Sequence, residues 1–461
     1  MRLRVRLQPR SRSALRSSHG TASATRLMPD PIVVIGGGLA GLAIAARLAK
    51  AGHQVELYER SETLGGTWAP YQLESGVTVD EAPSILGFPA PWRDLFRKSG
   101  RPLEAELARM GYALAPAAPP KMIFADGAEL ILPSDRGGQS AALAEAYGRS
   151  VTERWQLLLD RLDEVWQALR KLGLEAELRS RRQLHRRTRR NLLGRRMTVA
   201  DLAISIDHKH LGAVIRSVAY RSGSLPERTP AFVAVELATA RRFGRWQVQP
   251  LDSNSGLDVG RSSILVEALA ARLALRKVRV HLACSIERIT IRNGKVAAVV
   301  TSDGDHPAAA VVATCDPWLT FNGLLPTTTA QQIRRQLRRL TPAAAPTITH
   351  GEAPAPNTLV DETVTLTEAG VPALNYLHRS SGKGVRTVHD FTQVLPRPSF
   401  GVAWRGFSSW LHRPPVTTEI PGLYVAGPWS RGGPSGSQVV LSAALAAYDC
   451  HDYLGNRIGR R

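Results

Sequence analysis

Cysteine is scarce in this chain, with Cys284, Cys315 and Cys450 the only three in 461 residues. An odd, scattered set builds no disulfide framework and points to a reducing compartment. The missing C-x-x-C excludes a dithiol relay. No Cys/His grouping has metal-ligand spacing, so no metal is expected. The twelve histidines are dispersed, and most are expected to be surface or core residues without chemistry. Long apolar runs are also missing, which excludes a spanning helix and predicts a cytoplasmic protein with at most a peripheral hold on a membrane. Acid is short as well. Asp and Glu number 39 against 60 Lys and Arg, a net charge of +21. Such a surface favours an anionic membrane, nucleic acid or an acidic metabolite, and charge alone does not choose among them. The arginines lack the interleaved aromatics that stack on bases, so no nucleic acid partner is expected. Length and a 43% hydrophobic fraction allow two sizeable domains. Nothing in the sequence sets the oligomeric state.

Residues 1–29 carry seven arginines, several serines and no acid. They fit an Arg-rich targeting peptide or translated upstream sequence with Met28 as the working start. The Ala/Arg-rich look of the whole chain favours the second. Either way a disordered basic extension is expected, and a chain begun at Met28 should fold.

The informative stretch is residues 32–68. Ile32-Val33-Val34-Ile35 is a short apolar run of the kind a buried parallel strand shows. Gly36-Gly37-Gly38-Leu39-Ala40-Gly41 follows at once, then an Ala/Leu-rich helical pattern over 42–51, stopped by Gly52. Each glycine has a task. Gly36 makes the tight turn, Gly38 lets the backbone approach a pyrophosphate, and Gly41 lets helix and strand pack closely. The helix start offers N–H groups and a positive dipole end to the phosphates. A second strand, Val55-Glu56-Leu57-Tyr58, ends at Glu59, where an acid can bond the adenosine ribose hydroxyls and repel a ribose phosphate. Leu64-Gly65-Gly66-Thr67-Trp68 adds a second glycine pair just past that acid, as expected where a loop wraps a flavin dinucleotide from its other side. A plain glycine-rich turn is the alternative at both places.

Residues 84–254 lose this rhythm. A helix is predicted over 151–172, with Trp155, Leu158, Leu159, Leu162 and Trp166 on one face, which reads as core packing. Nine arginines crowd residues 179–196 with Leu184, Leu192 and Leu193 between them. They make either a solvated face or an interfacial helix drawn to anionic lipid. The α/β pattern then returns. It predicts a helix over 263–275, strands over 278–282, 286–291, 296–300 and 310–314, and a hairpin at Asn293-Gly294. These complete the parallel sheet begun at Ile32. Residues 326–409, rich in Pro and Thr, are expected to supply further strands and loops of a second domain. Finally, a strand ending at Gly427 leads through a loop holding Pro428, Trp429, Gly432, Gly433 and Gly436 into a small-residue helix over about 437–447. Backbone N–H groups at that helix start can stabilise negative charge on a reduced flavin. No second G-x-G-x-x-G appears, so electrons should come from an organic substrate and not from bound nicotinamide.

Gly36–Gly41, Glu59, Gly65-Gly66 and the glycines of residues 422–436 together resemble the FAD-binding amine oxidase superfamily. Asp80-Glu81-Ala82-Pro83, Asp94-Leu95-Phe96, Phe124-Ala125-Asp126-Gly127, Tyr220–Pro226 and Arg413-Pro414 are similar, more narrowly, to phytoene desaturase-like carotenoid dehydrogenases. The resemblance implies an α/β fold. A Rossmann-like FAD-binding domain would be assembled from residues 30–100, 255–325 and 410–455. An α+β substrate-binding domain would come from 101–254 and 326–409. It implies non-covalent FAD at Gly36, Gly38, Leu39, Ala40, Gly41, Glu59, Arg60, Gly65, Gly66, Thr67, Trp68, Gly427, Pro428, Trp429, Gly436 and Ser437, with the backbone of Ile286 against the adenine. Two departures stand out: Pro428-Trp429 where relatives often carry an acid, and Ala82 where many carry Gly. With no cysteine in the 427–436 loop and Cys450 after the helix, a cysteinyl flavin is not expected.

In such an enzyme the cofactor does the hard chemistry and the protein supplies an apolar slot, orientation and dryness. No Ser/His/Asp set or paired carboxylate stands out. Asp80, Glu81 and Trp429 are candidates for lining the site, by adjacency to the motifs; cap, surface acid and packed ring are the alternatives. The first expectation is a desaturase for a small apolar, isoprenoid-like substrate. The others are an amine oxidase using dioxygen, made harder by 6% aromatics, and a flavin-binding assembly factor with a degenerate site.

Overall fold

Ile32–Ile35 and Val55–Tyr58 are four-residue strands with every side chain buried, as strands covered on both faces must be. The computed structural model, which describes residues 30–252, 255–356 and 359–458, sets them side by side in a five-stranded sheet. Its order is Arg279–His281, Val55–Tyr58, Ile32–Ile35, Ala310–Ala313 and Leu423–Val425, with every pairing parallel. The sheet thus gathers strands from both ends and the middle of the chain. The extension expected over residues 1–29 lies outside the described residues.

Helix Leu39–Lys50 covers one face of this sheet. Its side chains from Leu39 to Leu48 are all buried, because helices Ser263–Leu275 and Gly436–Ile458 cover it in turn. Gly436–Ile458 runs well past the end expected near Ala447. Ala443, Ala446, Ala447, Cys450 and Leu454 continue one apolar stripe into the core, and that packing sustains the helix. Cys450 therefore lies inside the helix and not after it. Burial pushes its thiol up to about 12, which leaves it inert.

The hairpin at Asn293-Gly294 forms between Arg288–Arg292 and Lys295–Thr301, and both turn residues have the positive φ it requires. It does not join the parallel sheet. It pairs with Gly304–Pro307 in a separate antiparallel sheet, since its alternating pattern leaves one face polar and a doubly covered sheet has no place for that. Ile286, expected within the first of these strands, precedes it.

The other half of the molecule is a six-stranded sheet. Its order is Ala344–Ala353, Lys383–Pro396, Pro372–Ser380, Asp361–Leu366, Lys121–Ile123 and Glu129–Ile131. A helical layer backs it, with Arg149–Leu169 burying Trp155, Leu159, Leu162 and Trp166 as their spacing predicts. Leu158 is only partly buried. Two features tie the halves together. The hairpin Pro70–Gln72/Thr78–Asp80 sets Val77 and Val79 against Val385. A small sheet pairs Leu86–Gly87 and Tyr112–Pro116 with Arg245–Pro250.

The arginine-rich segment is not one helix. It is a 3-10 turn, Arg181–Gln183, then the short helix Arg186–Asn191, with Leu184 and Leu192 buried in the core. The apolar stripe that an interfacial helix would lay on lipid is thus spent on anchoring the segment to the protein.

Candidate functional site

The first cradle is built from backbone. Gly36 turns with φ +101°, and Thr314 at the end of the neighbouring strand donates its hydroxyl to the carbonyls of Ile35 (2.9 Å) and Gly36 (3.0 Å). A Cβ at Gly41 would collide with the Gly36 carbonyl oxygen, so only glycine lets helix Leu39–Lys50 start this close to the strand. A Cβ at Gly38, by contrast, would meet nothing nearer than Gly65 O at 3.9 Å; the backbone there faces open space. That helix has no side-chain cap and no acid in its first turn. The leading N–H groups at Leu39, Ala40 and Gly41 are left for an anion.

Glu59 closes the base of the loop. Gly37 N–H donates to its Oε2 (2.6 Å) and Ser61 N–H to its Oε1 (2.8 Å). Arg60 beside it is exposed. Ile286 is buried near by, two residues beyond Cys284, whose N–H donates to Glu59 O (2.9 Å). Replacing Glu59 by glutamine trades a charge-assisted acceptor for a weaker one and sets an amide against Gly37 N–H. Glu59→Gln should weaken FAD binding about tenfold or more; fluorescence titration of flavin-free protein measures this. An unchanged dissociation constant would remove Glu59 from the site.

The second glycine pair sits against the first. Gly65 N–H donates to Gly37 O (2.8 Å), and Gly38 and Gly65 form a β-bridge. The turn Gly66–Trp68 carries Thr67 outward and Trp68 inward. The Trp68 ring lies 5.3 Å from that of Trp92, and a Cβ at Gly436 would come 2.5 Å from Trp68 Cζ2. Trp68 thus joins the loop at residue 36 to the helix that starts at residue 436. The open backbone at Gly38, the uncapped helix end and this convergence fit a flavin dinucleotide.

The second cradle is more occupied than expected. Ser435 Oγ accepts from Gln438 N–H (3.4 Å) and Ser435 N–H donates to Gln438 Oε1 (3.0 Å), which caps the helix. Ser437 spends its hydroxyl on the carbonyls of Gly87 (2.9 Å) and Phe88 (2.8 Å). Gly427 N–H donates to Ser442 Oγ (3.2 Å). After Pro428, Trp429 folds its ring back over Gly427 and buries it in the cluster of Val33, Ile35 and Val425. The Trp429 ring is therefore packed into the core beside the cradle.

Asp80 is a clamp. Fully buried, it accepts from Ser263 N–H (2.8 Å) and faces Arg261 at 3.6 Å. Burial raises its carboxyl above the ordinary range, against the pull of those donors. Glu81 stays partly exposed, close enough to act on Tyr71 and His350.

Sequence reasoning missed two groups. One is Arg413, fully buried over Trp404 at 4.0 Å and bonded to the carbonyls of Val402 (2.8 Å) and Ser430 (3.3 Å). No acid pairs with it among the described residues, and burial lowers it to about 9. The Arg413-Pro414 motif was its only signal. The other is a set of histidines, His350, His378 and His389, brought to one sheet face by strand register that no single strand reveals. Among the described residues no group of His, Cys, Asp and Glu could hold a metal.

Residues 39–341 match the family model for flavin containing amine oxidoreductase. The chain is 27% identical over 292 residues to a phytoene dehydrogenase of Streptomyces griseus, covering 62% of this chain and 54% of that one. It is 41% identical over 73 residues to a 4,4'-diapophytoene desaturase of Staphylococcus haemolyticus, 16% of this chain and 14% of the relative. The chain thus spans about half the length of these curated relatives, or much less. Among solved structures, an oxidoreductase from Methanosarcina mazei superposes with a TM-score of 0.62 at 16% identity, over 90% of this chain and 99% of that one. A putrescine oxidase bound to putrescine gives 0.62 at 12%, over 92% and 99%. These likenesses establish a shared fold.

Proposed function

The chain belongs to the flavin-containing amine oxidoreductase family, a family of FAD-dependent oxidoreductases, and on that premise we propose a desaturase for an apolar, isoprenoid-like substrate, with bound FAD supplying the hydride acceptor at its N5 atom. The observation that carries the reading is the run of likeness to phytoene dehydrogenase across 62% of the chain. The two glycine cradles and Trp68 between them would hold the cofactor. The buried sheet face opposite the Pro70–Asp80 hairpin would keep the reacting carbons dry. No helix among the described residues is long and apolar enough to cross a membrane. A net charge of +21 supports collection of the substrate from an anionic membrane surface, by charge alone because the leucines of residues 179–196 point inward.

Anaerobic mixing of yellow, FAD-loaded protein with phytoene-bearing vesicles should bleach the long-wavelength flavin band, faster from anionic than from neutral lipid. Putrescine should leave the band unchanged. Bleaching by the amine alone would replace this reading with amine oxidation. A band that only dithionite bleaches would point to a flavin-binding protein without this activity. Equal rates from both lipids would remove the membrane contact.

A further inference from the structure

Strands Ala344–Ala353, Lys383–Pro396 and Pro372–Ser380 lie in antiparallel register, with His350 opposite Thr387, Thr387 opposite Tyr376, and His378 opposite Val385. Side chains at paired positions share a face. His350, His378, His389 and Thr387 therefore stand together on the face turned toward the Pro70–Asp80 hairpin, where Val385 meets Val77 and Val79. One hydroxyl lies between two of the rings. His350 Nδ1 is 3.0 Å from Thr387 Oγ1, and His378 Nε2 is 3.0 Å from the same atom.

The outer nitrogens of this row are unusual. His378 Nδ1 and His350 Nε2 are buried without a hydrogen-bond partner, as is His389 Nε2. His378 is 1% exposed. Its Cβ lies 3.4 Å from the position a Cβ would take at Gly260, in the segment that leads into helix Ser263–Leu275 of the nucleotide-binding half. Its Nδ1 is thus a lone acceptor or donor at the junction of the two halves, and leaving it unmatched in a core is costly. The other end of the row reaches the rim. The ring of Tyr71, 40% exposed, lies 5.4 Å from that of His350, and Glu81 acts on His350 from the same side.

We propose that His378, Thr387 and His350 form a proton relay that carries the proton released in substrate oxidation from the buried junction to the rim at Glu81 and Tyr71. The proposal rests on the desaturase reading above. As the substrate's hydride leaves to the flavin, the neighbouring C–H bond yields its electron pair to the new double bond and its proton to His378 Nδ1. His378 Nε2–H then donates its proton to Thr387 Oγ, Thr387 passes its own hydrogen to His350 Nδ1, and His350 gives the proton on Nε2 to the Glu81 carboxylate, the charge that acts on it at the rim. Each residue gains one proton and loses one, and both rings end neutral with their tautomers exchanged.

The surroundings keep the row neutral at rest. Burial lowers His378 and His389 to about 4, and it lowers His350 too. Asp258 and Arg261 act on His378 with opposite signs, while each of the other two feels His350 or Glu81. Thr387 is a positioning residue in this scheme, and His378 is the group that meets the substrate.

The relay fixes the tautomers. Because one hydroxyl donates to one ring and accepts from the other, His350 and His378 must share a tautomer, both Nε2–H in the resting protein. Long-range proton–nitrogen NMR of the FAD-loaded protein, labelled at histidine nitrogen, reads this without any substrate. Nδ1–H on His350 together with Nε2–H on His378, both donating to Thr387, would make the contact a static bridge and overturn the relay. Kinetically, Thr387→Val should slow bleaching by phytoene about 100-fold, with FAD affinity unchanged, while Thr387→Ser stays within about threefold. Equal rates for Thr387→Val and the parent would also overturn it. Absence of bleaching in the parent protein would count against the desaturase reading instead, and the tautomers would still decide the relay.

Discussion

Gly41→Val yields a protein that purifies without flavin. At this position helix Leu39–Lys50 passes so close to strand Ile32–Ile35 that any Cβ would collide with the Gly36 carbonyl oxygen and crowd Thr314 Oγ1 at 3.1 Å. Neither neighbour is free to yield: Gly36 O is held by the Thr314 hydroxyl at 3.0 Å, and the helix is buried on all sides. The helix start must move away, which carries its N–H groups off the phosphates and opens the core around Leu42 and Ala43. Overpacking of this kind costs about 3 kcal/mol or more where backbone meets backbone. Gly52→Ala is the matched control. Gly52 has a positive φ, +91°, but a Cβ there meets nothing within 4 Å. Its cost is backbone strain alone, about 1–2 kcal/mol, and the protein should stay yellow. Flavin absorbance per protein, with thermal unfolding of both variants, decides the matter. A yellow Gly41→Val protein would mean that the cofactor does not depend on this helix start.

Loss of Arg272 should be the most destabilising single change far from the cofactor. Arg272 and Glu106 are each 3% exposed and form a direct ion pair. Arg272 also donates to Phe96 O (3.1 Å) and Ser99 Oγ (3.3 Å), and its guanidinium lies 5.5 Å from the Phe96 ring centroid. Arg272→Leu leaves Glu106 with Arg109 at 2.7 Å and Arg101 at 3.9 Å, both half exposed, in place of a buried partner. Breaking such a pair costs about 3–5 kcal/mol, whereas replacing both partners with apolar groups costs far less. Arg272→Met with Glu106→Met should therefore recover most of the loss, and urea unfolding at pH 7 measures both. A loss below about 1 kcal/mol in the single variant would contradict the assignment. The pair also sets an acid limb. Burial pulls the Glu106 carboxyl upward, but the donors Arg109 and Arg272 outweigh it and hold the group below its ordinary range. A carboxyl depressed in the folded state stabilises it fully above the unfolded pKa, near 4.3. That contribution fades as pH falls from there through the folded value, and Glu106→Gln should lose this fading.

The cofactor half was largely legible along the chain because its signals are local. A buried four-residue strand, three glycines at fixed spacing and an acid at the next strand end are written within residues 32–59. Each has a backbone reason that holds in any context: a positive φ at Gly36, an excluded Cβ at Gly41. The hairpin at Asn293-Gly294 was legible for the same reason. Its placement was not, because joining one sheet or another depends on what covers each face. The end of the last helix was missed because packing against helix Leu39–Lys50 sustains it beyond its local pattern. The packing of the Trp429 ring into the core was not legible, because adjacency to Gly427 says nothing about which way a ring turns.

The sequence alone pointed to glycine loops from opposite ends of the chain as the cradle of a flavin dinucleotide, because backbone approach and helix dipoles act over a few residues. Only the tertiary structure decided that Trp68 bridges those loops, that Arg413 sits buried without an acid, and that His350, Thr387 and His378 fall in one row. Register between strands and the turning of a side chain into a core are set by long-range packing, and no local pattern encodes them.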